Sequence, residues 1–386
     1  MLRTSAFTIT ILGLGATAVA GQLHVPQQYA TIQGAIAAAG DGDEVLVAPG
    51  VYHEAVDFLG KAITLRSETG PENTVIDASD LQSSAVKFVN YECEDTVLEG
   101  FTLTGGVGTL DGYDRYGGGA WIRMSGPVVR DCIFLENTAR YGGGIGCMMS
   151  WSTIEDCRFI GNTATGMGSC GGGGIGGQSG DLVIVNCDFR GNAAPNGKGG
   201  GINVAGGEHA VTNCAFFANS ALYGGAVTNV GGDLDLLNCT ASGNWADAAY
   251  GGVLSIYDEA ATTIVNCVIW GNGEYEVAEA LDAANTRVSF SDVRGGWDGQ
   301  GERNIDADPM FVDAPGGDLR LICESPCIDA GDTGEFLLLG LDCDLDGNPR
   351  PVDGPEGGGF VLRPRRLTWL NYLAPRVDMG AYEVQP

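Results

Sequence analysis

The stretch VNCDFRGN (residues 185–192) recurs in altered form along the chain, and this recurrence decides the fold. Five other stretches keep its cysteine and, five residues later, its asparagine. They are RDCIFLEN (130–137), EDCRFIGN (155–162), TNCAFFAN (212–219), LNCTASGN (237–244) and VNCVIWGN (265–272).

Two sets of equivalent residues follow from this alignment, and we predict that each forms a structural ladder. The cysteines are Cys132, Cys157, Cys187, Cys214, Cys239 and Cys267; the asparagines are Asn137, Asn162, Asn192, Asn219, Asn244 and Asn272. Successive cysteines are 25 to 30 residues apart, and a Gly-Gly pair precedes each of them by a nearly constant distance. The segment between each asparagine and the next Gly-Gly pair varies in length. A repeat with one fixed and one variable section is typical of a solenoid, whose insertions are confined to one face.

The apolar residues of the repeat predict short strands joined at a bend. Cys187 and Phe189 are two residues apart, which places both side chains on one face of a strand. Ile184 lies three residues before the cysteine and breaks that period, so the chain must turn between them. The turning residue is Asn or Asp in every copy, and these residues tolerate the left-handed conformation. They are Asp131, Asp156, Asn186, Asn213, Asn238 and Asn266.

Each repeat therefore holds two strands meeting at a corner, a third strand after the Gly-Gly pair, and a variable loop. This pattern predicts an all-β parallel β-helix with Cys and Phe in its interior. A doubly wound α/β fold needs helical connections of ten or more residues, which the Gly-rich loops cannot supply. Asn192 and its equivalents are expected to mark the start of the variable loop.

The ends of the chain differ from the repeats. Residues 29–40 predict a short capping helix, with Thr31 as its N-cap and Gly40 at its end. We assign residues 21–300 to the β-helix and residues 301–386 to a C-terminal module that closes it. Arg3, the apolar run 6–16 and the A-x-A site at 18–20 predict a signal peptide over residues 1–20.

Composition and charge limit the function classes. The chain has 49 acidic and 20 basic side chains and a net charge of −29, which excludes nucleic acids and anionic membranes as partners. No stretch after the signal peptide is long and apolar enough to span a bilayer. We expect an exported monomer that is secreted, held at the cell surface or retained in the periplasm.

Several segments resemble known families. YATIQGAIAAAGDGDEVLVAPGVYHE (29–54) resembles the opening of secreted pectin-lyase-like β-helix proteins. The GG-[AI] and F-x-x-N pattern is similar to the repeats of chlamydial polymorphic outer-membrane proteins. SPCIDAGD (325–332), DLDGNPR (344–350) and VDMGAYE (377–383) look like the closing module of bacterial right-handed parallel β-helix proteins of the choice-of-anchor type. The resemblance implies a right-handed solenoid and export, and it implies no particular activity.

The motifs of the related enzymes are missing. Polygalacturonase-like hydrolases carry Asn-Thr-Asp, Asp-Asp, Gly-His-Gly and Arg-x-Lys motifs, and pectin methylesterases carry Gln-Asp and Asp-Phe-x-Phe-Gly motifs; this chain has none of them in the corresponding pattern. A lyase would pair Ca²⁺-binding acids with an arginine or lysine base. The candidate arginines are Arg115, Arg123, Arg130, Arg140, Arg158 and Arg190, and no acidic cluster singles one out. A catalytic role is therefore disfavoured, with a lyase left open.

One segment has the spacing of a calcium loop. Asp342, Asp344 and Asp346 alternate before Gly347, and Asp353 closes the segment. Ca²⁺ is therefore a candidate cofactor, with an acidic turn that closes the fold as the alternative. Pro349 and Pro351 exclude the usual exiting helix.

The cysteines have several interpretations. Packing as small hydrophobic groups is favoured for the ladder, while bridges between neighbouring coils remain open. Cys323 and Cys327 are the expected disulfide, or one of them pairs with Cys343. Zinc is disfavoured because the ladder has one cysteine per coil and few histidines.

Four tyrosines give the functional hypothesis. Tyr116, Tyr141, Tyr223 and Tyr250 each lie just before a Gly-Gly pair, so stacked coils would align them on the loop face. An aromatic strip beside acids fits a polysaccharide or cell-surface glycan. We expect a non-catalytic carbohydrate-binding or adhesin-like protein. A lyase or hydrolase of acidic glycans and a purely structural surface protein are the alternatives.

Overall fold

The computed structural model describes residues 20–168, 170–247, 251–256, 260–280, 285–332, 344–346 and 377–382. Nearly all of the predicted signal peptide lies outside these ranges, as do Tyr250, Asp342, Cys343 and Asp353. In the described ranges, no helix has the length and apolar character needed to cross a bilayer.

The chain winds as a right-handed parallel β-helix, which confirms the predicted fold class. Each coil passes through three long parallel sheets, which we number 1, 2 and 3 in the order in which the chain enters them. Coils in the middle of the molecule also contribute to a short sheet 4, which lies between sheets 2 and 3 along the chain. Strands of successive coils pair in register, so equivalent residues stack along the axis. Two antiparallel hairpins complete the described strands.

The strand bounds are as follows. Sheet 1 contains Gln22–Val25, Glu44–Val47, Thr64–Ser67, Val97–Glu99, Val128–Arg130, Thr153–Glu155, Leu182–Val185, Glu208–Thr212, Asp233–Leu237, Ala261–Val265 and Asn285–Ser289. Sheet 2 contains Gly50–Tyr52, Thr74–Asp77, Thr102–Thr104, Ile133–Leu135, Arg158–Ile160, Asp188–Arg190, Ala215–Phe217, Thr240–Ser242, Val268–Trp270 and Asp292–Val293. Sheet 3 contains Val56–Asp57, Val86–Phe88, Ala120–Arg123, Ile145–Met148, Ile175–Gln178, Ile202–Ala205, Val227–Val230, Val253–Ile256 and Val277–Ala280. Sheet 4 contains Thr138–Ala139, Thr163–Ala164, Ala193–Lys198, Ser220–Tyr223 and Trp245–Ala246; the hairpins are Thr109–Asp111 with Asp114–Tyr116, and Phe311–Asp313 with Asp318–Leu321.

The corner between sheets 1 and 2 is built by the predicted Asn and Asp residues. All six have a positive φ, between 48° at Asp131 and 55° at Asn213 and Asn266, and Gly100 takes the same position one coil earlier with φ 81°. The structure thus confirms the bend inferred from the broken period. The bend lets both strands direct their apolar side chains into one interior.

The interior is a set of stacked side chains. Phe134, Phe159, Phe189 and Phe216 lie face to face, with ring centroids 4.7 to 4.9 Å apart. The six ladder cysteines are buried beside them. The Gly-Gly pairs are required where coils approach most closely: a Cβ on Gly143 or Gly144 would lie 2.5 or 2.6 Å from a carbonyl oxygen of the next coil.

The N-terminal helix caps the first coil, as predicted. It spans Ile32–Ala38, and the Thr31 hydroxyl accepts a hydrogen bond from the Gly34 amide at 3.0 Å. Ile32 and Ile36 are buried in the main core. The Lys61 ammonium donates to carbonyls at the end of the helix, which satisfies groups that a helix leaves unpaired.

The C-terminal part closes the solenoid and then folds back along it. Gln300 and Ile305 form bridges to the last strands of sheets 1 and 2, and Trp297 packs against the core. The chain then returns over the outer face of sheet 2, where Leu319, Ala381 and Tyr382 cover Ala215. Leu321, Cys327 and Met379 cover Val268 in the same way. The predicted boundary at residue 300 is not tested by these contacts and stays a prediction.

Candidate functional site

The outer face of sheet 4 is a flat row of uncharged residues that ends in a tryptophan. Its inward positions are buried alanines such as Ala164, Ala194 and Ala221. Its outward positions are in register in successive coils, and we call them the loop shelf: Thr138, Thr163, Ala193, Ser220 and Trp245. The indole of Trp245 is 55% exposed. Small residues keep the surface flat, so a ligand could lie along the coils and stack against this ring.

A hairpin flanks the first coil of the loop shelf. Arg115, in its second strand, accepts the Arg140 amide at its carbonyl oxygen, 3.0 Å away. Leu110 and Tyr113 lie at the exposed end of the hairpin. Asp111 forms an ion pair with Arg123 at 3.4 Å, which ties the hairpin to sheet 3. The hairpin therefore forms a raised border at one end of the loop shelf.

The predicted tyrosines do not form one continuous strip. Tyr116 stacks on Trp121 with centroids 4.6 Å apart and lies 6.0 Å from Tyr141. Tyr141 is buried, and its hydroxyl donates to the Gly177 carbonyl at 3.0 Å. Burial raises the pKa of Tyr141 well above its usual range. These two rings cover the outer face of sheet 3.

The row is interrupted after Tyr141. In the next coils, Gly171 and Lys198 pair with each other, and Lys198 pairs with Tyr223. Two coils without an aromatic ring thus separate Tyr141 from Tyr223, which is 37% exposed. Tyr250 lies outside the described residues. The ligand-binding role of the four tyrosines stays a prediction, and the geometry favours Tyr223 over Tyr141 for contact with a ligand.

A small cavity lies beside Tyr116 and Tyr141. It has a volume of about 130 Å³ and is lined by residues that include Asp114, Arg140, Cys170 and Gln178. The Arg140 guanidinium and the Asp114 carboxylate form an ion pair at 3.0 Å. The charges in this cavity therefore already neutralise each other, and its volume is far below that of an ordinary ligand pocket.

The arginines considered as lyase bases all have partners. Arg115 donates to two carbonyls, and the others pair with carboxylates: Arg123 with Asp111, Arg130 with Glu99, Arg140 with Asp114, Arg158 with Glu72 and Arg190 with Asp188. The hydrogen bonds that Arg130 donates to the Glu99 carboxylate raise the pKa of Arg130. A catalytic base needs the opposite shift, because it must lose its proton near neutral pH.

His209 has a structural position. Its Nδ1 accepts the Leu182 amide at 3.3 Å, and its Nε2 lies 2.8 Å from the Gly206 carbonyl oxygen. Burial lowers the pKa of His209, so the ring is neutral at pH 7 and donates from Nε2. Both nitrogens are therefore occupied.

All eleven described cysteines are free thiols. The ladder cysteines hydrogen-bond to backbone carbonyls, as in the 3.2 Å contact from Cys187 Sγ to the Val185 oxygen. Burial raises the pKa of Cys187 far above the usual value, so the thiol stays protonated. Cys323 and Cys327 are not bridged to each other, and pairing with Cys343 falls outside the described residues.

The predicted calcium segment is described only in part. Asp346 lines a pocket with Arg190, Arg320, Asp318 and Tyr382, and both guanidinium groups already form ion pairs, Arg190 with Asp188 and Arg320 with Asp318. Within the described ranges, no group of three or more His, Cys, Asp or Glu side chains is arranged to hold a metal ion. Asp342 and Asp353 lie outside those ranges. Calcium binding at Asp342, Asp344, Asp346 and Asp353 stays a prediction.

Sequence reasoning did not assign Trp245 to the site. A usable signal was present, because each residue of the loop shelf directly follows a ladder asparagine: Thr138 follows Asn137, and Trp245 follows Asn244. The fixed asparagine sets the register of the next residue more reliably than the Gly-Gly pair, which lies beyond the variable loop.

Comparison with known proteins supports the fold. The family model described as a right-handed β-helix region matches residues 69–241. Among solved structures, pectin methylesterase from carrot aligns with 76% of this chain and 84% of its own, at 12% sequence identity and a TM-score of 0.35. That similarity is too low to carry any conclusion, and the support for the fold comes from the family model. None of the curated proteins matches the chain.

Proposed function

We propose that this right-handed parallel β-helix repeat protein is an exported, non-catalytic binding protein for neutral glycans. The observation that carries the proposal is the loop shelf, with its exposed indole at Trp245. Sugar rings present C–H groups to aromatic faces and hydroxyls to polar side chains, which suits an indole beside a row of small and hydroxyl-bearing residues.

The geometry of the loop shelf favours an extended chain of sugars. Coils of a β-helix are about 4.8 Å apart, so the five outward positions extend over about 19 Å. Thr138, Thr163 and Ser220 offer hydroxyls at the first, second and fourth of these positions. A linear polysaccharide laid along the axis would meet hydroxyls at three coils, the small Ala193 at one, and the Trp245 ring at the last.

The charge distribution favours neutral over acidic sugars. None of the five loop-shelf residues is charged, and the net charge of the chain is −29. A polyanionic glycan would be repelled by this field. A lyase of acidic glycans would need an arginine as its base or to bind the carboxylate of the sugar. Because the candidate arginines already have partners within the protein, they support a non-catalytic role.

A glycan array tests the proposal. We expect retention on a neutral polysaccharide, and a loss of about tenfold or more in affinity for Trp245→Ser, because the stacking surface is removed. Trp151→Ser is the matched control, since Trp151 is equally exposed but lies between sheets 3 and 1, away from sheet 4. New reducing ends or unsaturated products would instead indicate an enzyme. If the array shows no retention and no product is formed, a purely structural role is favoured.

A further inference from the structure

The turn that leaves sheet 3 carries large apolar residues in a conformation that disfavours them. Leu59, Tyr91, Met124 and Met149 occupy this turn in four successive coils, with φ of 59°, 64°, 49° and 51°. Bulky side chains in the left-handed region are strained. The same turn in the following coils has Ser179, Gly206 and Gly231, which shows that the fold itself does not require a large residue there.

These strained residues gain little packing in return, because most of them are exposed. Leu59, Tyr91 and Met149 are 47%, 70% and 44% exposed, and Trp151 beside them is 54% exposed. The Trp151 indole lies so close to Gly126 that a Cβ there would be 2.1 Å from the ring. We call Leu59, Tyr91, Met124, Met149 and Trp151 the apolar ridge.

A buried carboxyl group holds the ridge in place. Glu92 is almost completely buried, and its two oxygens accept hydrogen bonds from the Gly60 amide, the Asn90 amide and the Ser125 hydroxyl, each at 2.9 Å. These three donors belong to three successive coils. Glu92 therefore fixes the turns relative to each other while its neighbour Tyr91 points outward, so the exposed side chains are presented on a rigid base.

The ridge continues directly into an acidic groove. The turn that contains Trp151 is bonded to the next coil by the Asp181 amide, which donates to the Ser150 carbonyl at 2.8 Å. From there the same edge is lined by Asp181, Glu208, Asp233 and Asp235, around a groove of about 580 Å³. No lysine or arginine lines this groove, and none of the four carboxylates has an ion-pair partner among the described residues.

We propose that the apolar ridge and the acidic groove together form a docking surface for a cationic, amphipathic segment of another polypeptide. Three of the five ridge residues, Leu59, Met124 and Met149, are flexible aliphatic or thioether side chains that adapt to other apolar side chains, whereas a sugar platform consists of flat aromatic rings. Because the four carboxylates of the groove have no ion-pair partner among the described residues, we expect lysines or arginines on the partner. A second copy of this chain, at net charge −29, lacks that complement.

The dimensions define the partner further. From the coil of Leu59 to the coil of Asp233 there are six steps of about 4.8 Å, or about 29 Å. An extended peptide of about nine residues covers this distance, with apolar side chains at one end and basic side chains at the other.

A labelled synthetic peptide tests the surface. The probe is an extended peptide with apolar residues in one half and lysines in the other, and its counterpart has glutamates in place of the lysines. Fluorescence anisotropy should show binding of the lysine peptide only. Raising NaCl from about 50 to about 500 mM should weaken binding about tenfold, because the charged half is exposed to solvent.

A variant that relieves the conformational strain at the ridge can lose peptide affinity without losing stability, so the loss cannot be attributed to misfolding. Met149→Asn places a residue that tolerates the left-handed region, so its melting temperature should rise by roughly 2 °C while peptide affinity falls about tenfold. Asp233→Asn should lower affinity and reduce the salt dependence. Met167→Asn is the matched control, because Met167 is an exposed methionine on the loop between sheets 4 and 3, away from the turn that leaves sheet 3.

Four results would overturn the proposal. The first is equal binding of the two peptides, and the second is unchanged affinity in Met149→Asn. The third is sedimentation as a dimer that this variant abolishes, which would assign the ridge to a second copy. Glycan retention lost in Trp151→Ser but kept in Trp245→Ser would likewise assign the ridge to sugars, and it would refute the proposed role of the loop shelf at the same time.

Discussion

The ladder asparagines show how much one residue type determines in this fold. Asn192 is completely buried, and its Nδ2 donates to the Phe159 carbonyl at 2.8 Å and to Asn219 Oδ1 at 2.9 Å. Its Oδ1 accepts from both the backbone amide and the side-chain amide of Asn162. One side chain thus joins three coils, and its amide geometry cannot be reproduced by a shorter or apolar residue.

Asn192→Ala should strongly destabilise the protein. The change leaves two buried donors of Asn162 without an acceptor, and each orphaned group costs about 1–3 kcal/mol. We expect the free energy of unfolding to fall by about 2–4 kcal/mol, measured by denaturant titration. Asn196→Ala is the control, because Asn196 is exposed on the strand that directly follows Asn192, and its replacement should change stability by less than about 0.5 kcal/mol. Equal effects at both positions would contradict the ladder.

For single residues, the sequence predicts where the chain bends but not which polar side chains are buried. The broken period identified the corner residues Asp131 and Asn186 correctly, because only a bend reconciles an offset of three with a strand. The same pattern suggested that Asn192 begins a loop, and the residue is in fact buried. An isolated polar residue reads as exposed in sequence, since its hydrogen-bond partners lie on other coils and become apparent only once the coils are stacked.

Among the elements, the last strand of sheet 2 carries a buried acid at its contact with the segments that fold back over this sheet. Asp292 is buried in the last strand of sheet 2, where it accepts hydrogen bonds from the Cys327 thiol at 3.1 Å and the Ala307 amide at 3.2 Å. Burial raises the pKa of Asp292 to about 6, and the nearby Asp306 and Asp308 act in the same direction. The carboxyl group therefore takes up a proton in the folded protein more readily than in the unfolded chain.

This shift predicts a pH-dependent stability that Asp292→Asn removes. Because the folded pKa is raised, the contribution of Asp292 is most favourable below about pH 4 and is lost as the pH rises through about 6, a change of about 3 kcal/mol. Asparagine resembles the protonated acid. The variant should thus match the wild type near pH 4 and melt higher above pH 6, as measured by calorimetry. A constant difference between the two proteins at all pH values would contradict the assignment.

The positions of the insertions explain why the predicted tyrosine strip is not continuous in the structure. The Gly-Gly pair gives the start of each sheet 3 strand, but the segment before it contains the insertions, so residues at equal distance from the pair need not face the same surroundings. Tyr141 folds onto sheet 3, and Gly171 and Lys198 take the corresponding positions in the next coils. Loop length and side-chain direction are set by tertiary contacts that no repeat spacing contains.

For the whole molecule, repulsion between like charges is the dominant long-range contribution to stability. Stacking in register brings equivalent residues of neighbouring coils together, so any acid repeated at one position meets another acid about 4.8 Å away. Glu208 and Asp233 are paired in this way on sheet 1. A solenoid therefore concentrates like charges along its axis more than a globular fold of the same composition does, and a net charge of −29 opposes compaction.

Salt should consequently stabilise the protein. Raising NaCl from about 20 to about 500 mM shortens the Debye length from roughly 20 Å to about 4 Å, which screens repulsion between coils and should raise the melting temperature by several degrees. Asp233→Asn removes one member of the Glu208 pair, so its melting temperature should exceed that of the wild type at low salt and converge with it at high salt. Calorimetry at both salt concentrations measures the two effects. A melting temperature that falls with salt, or a variant whose gain is the same at both concentrations, would show that contacts other than charge repulsion set the stability of the stacked coils.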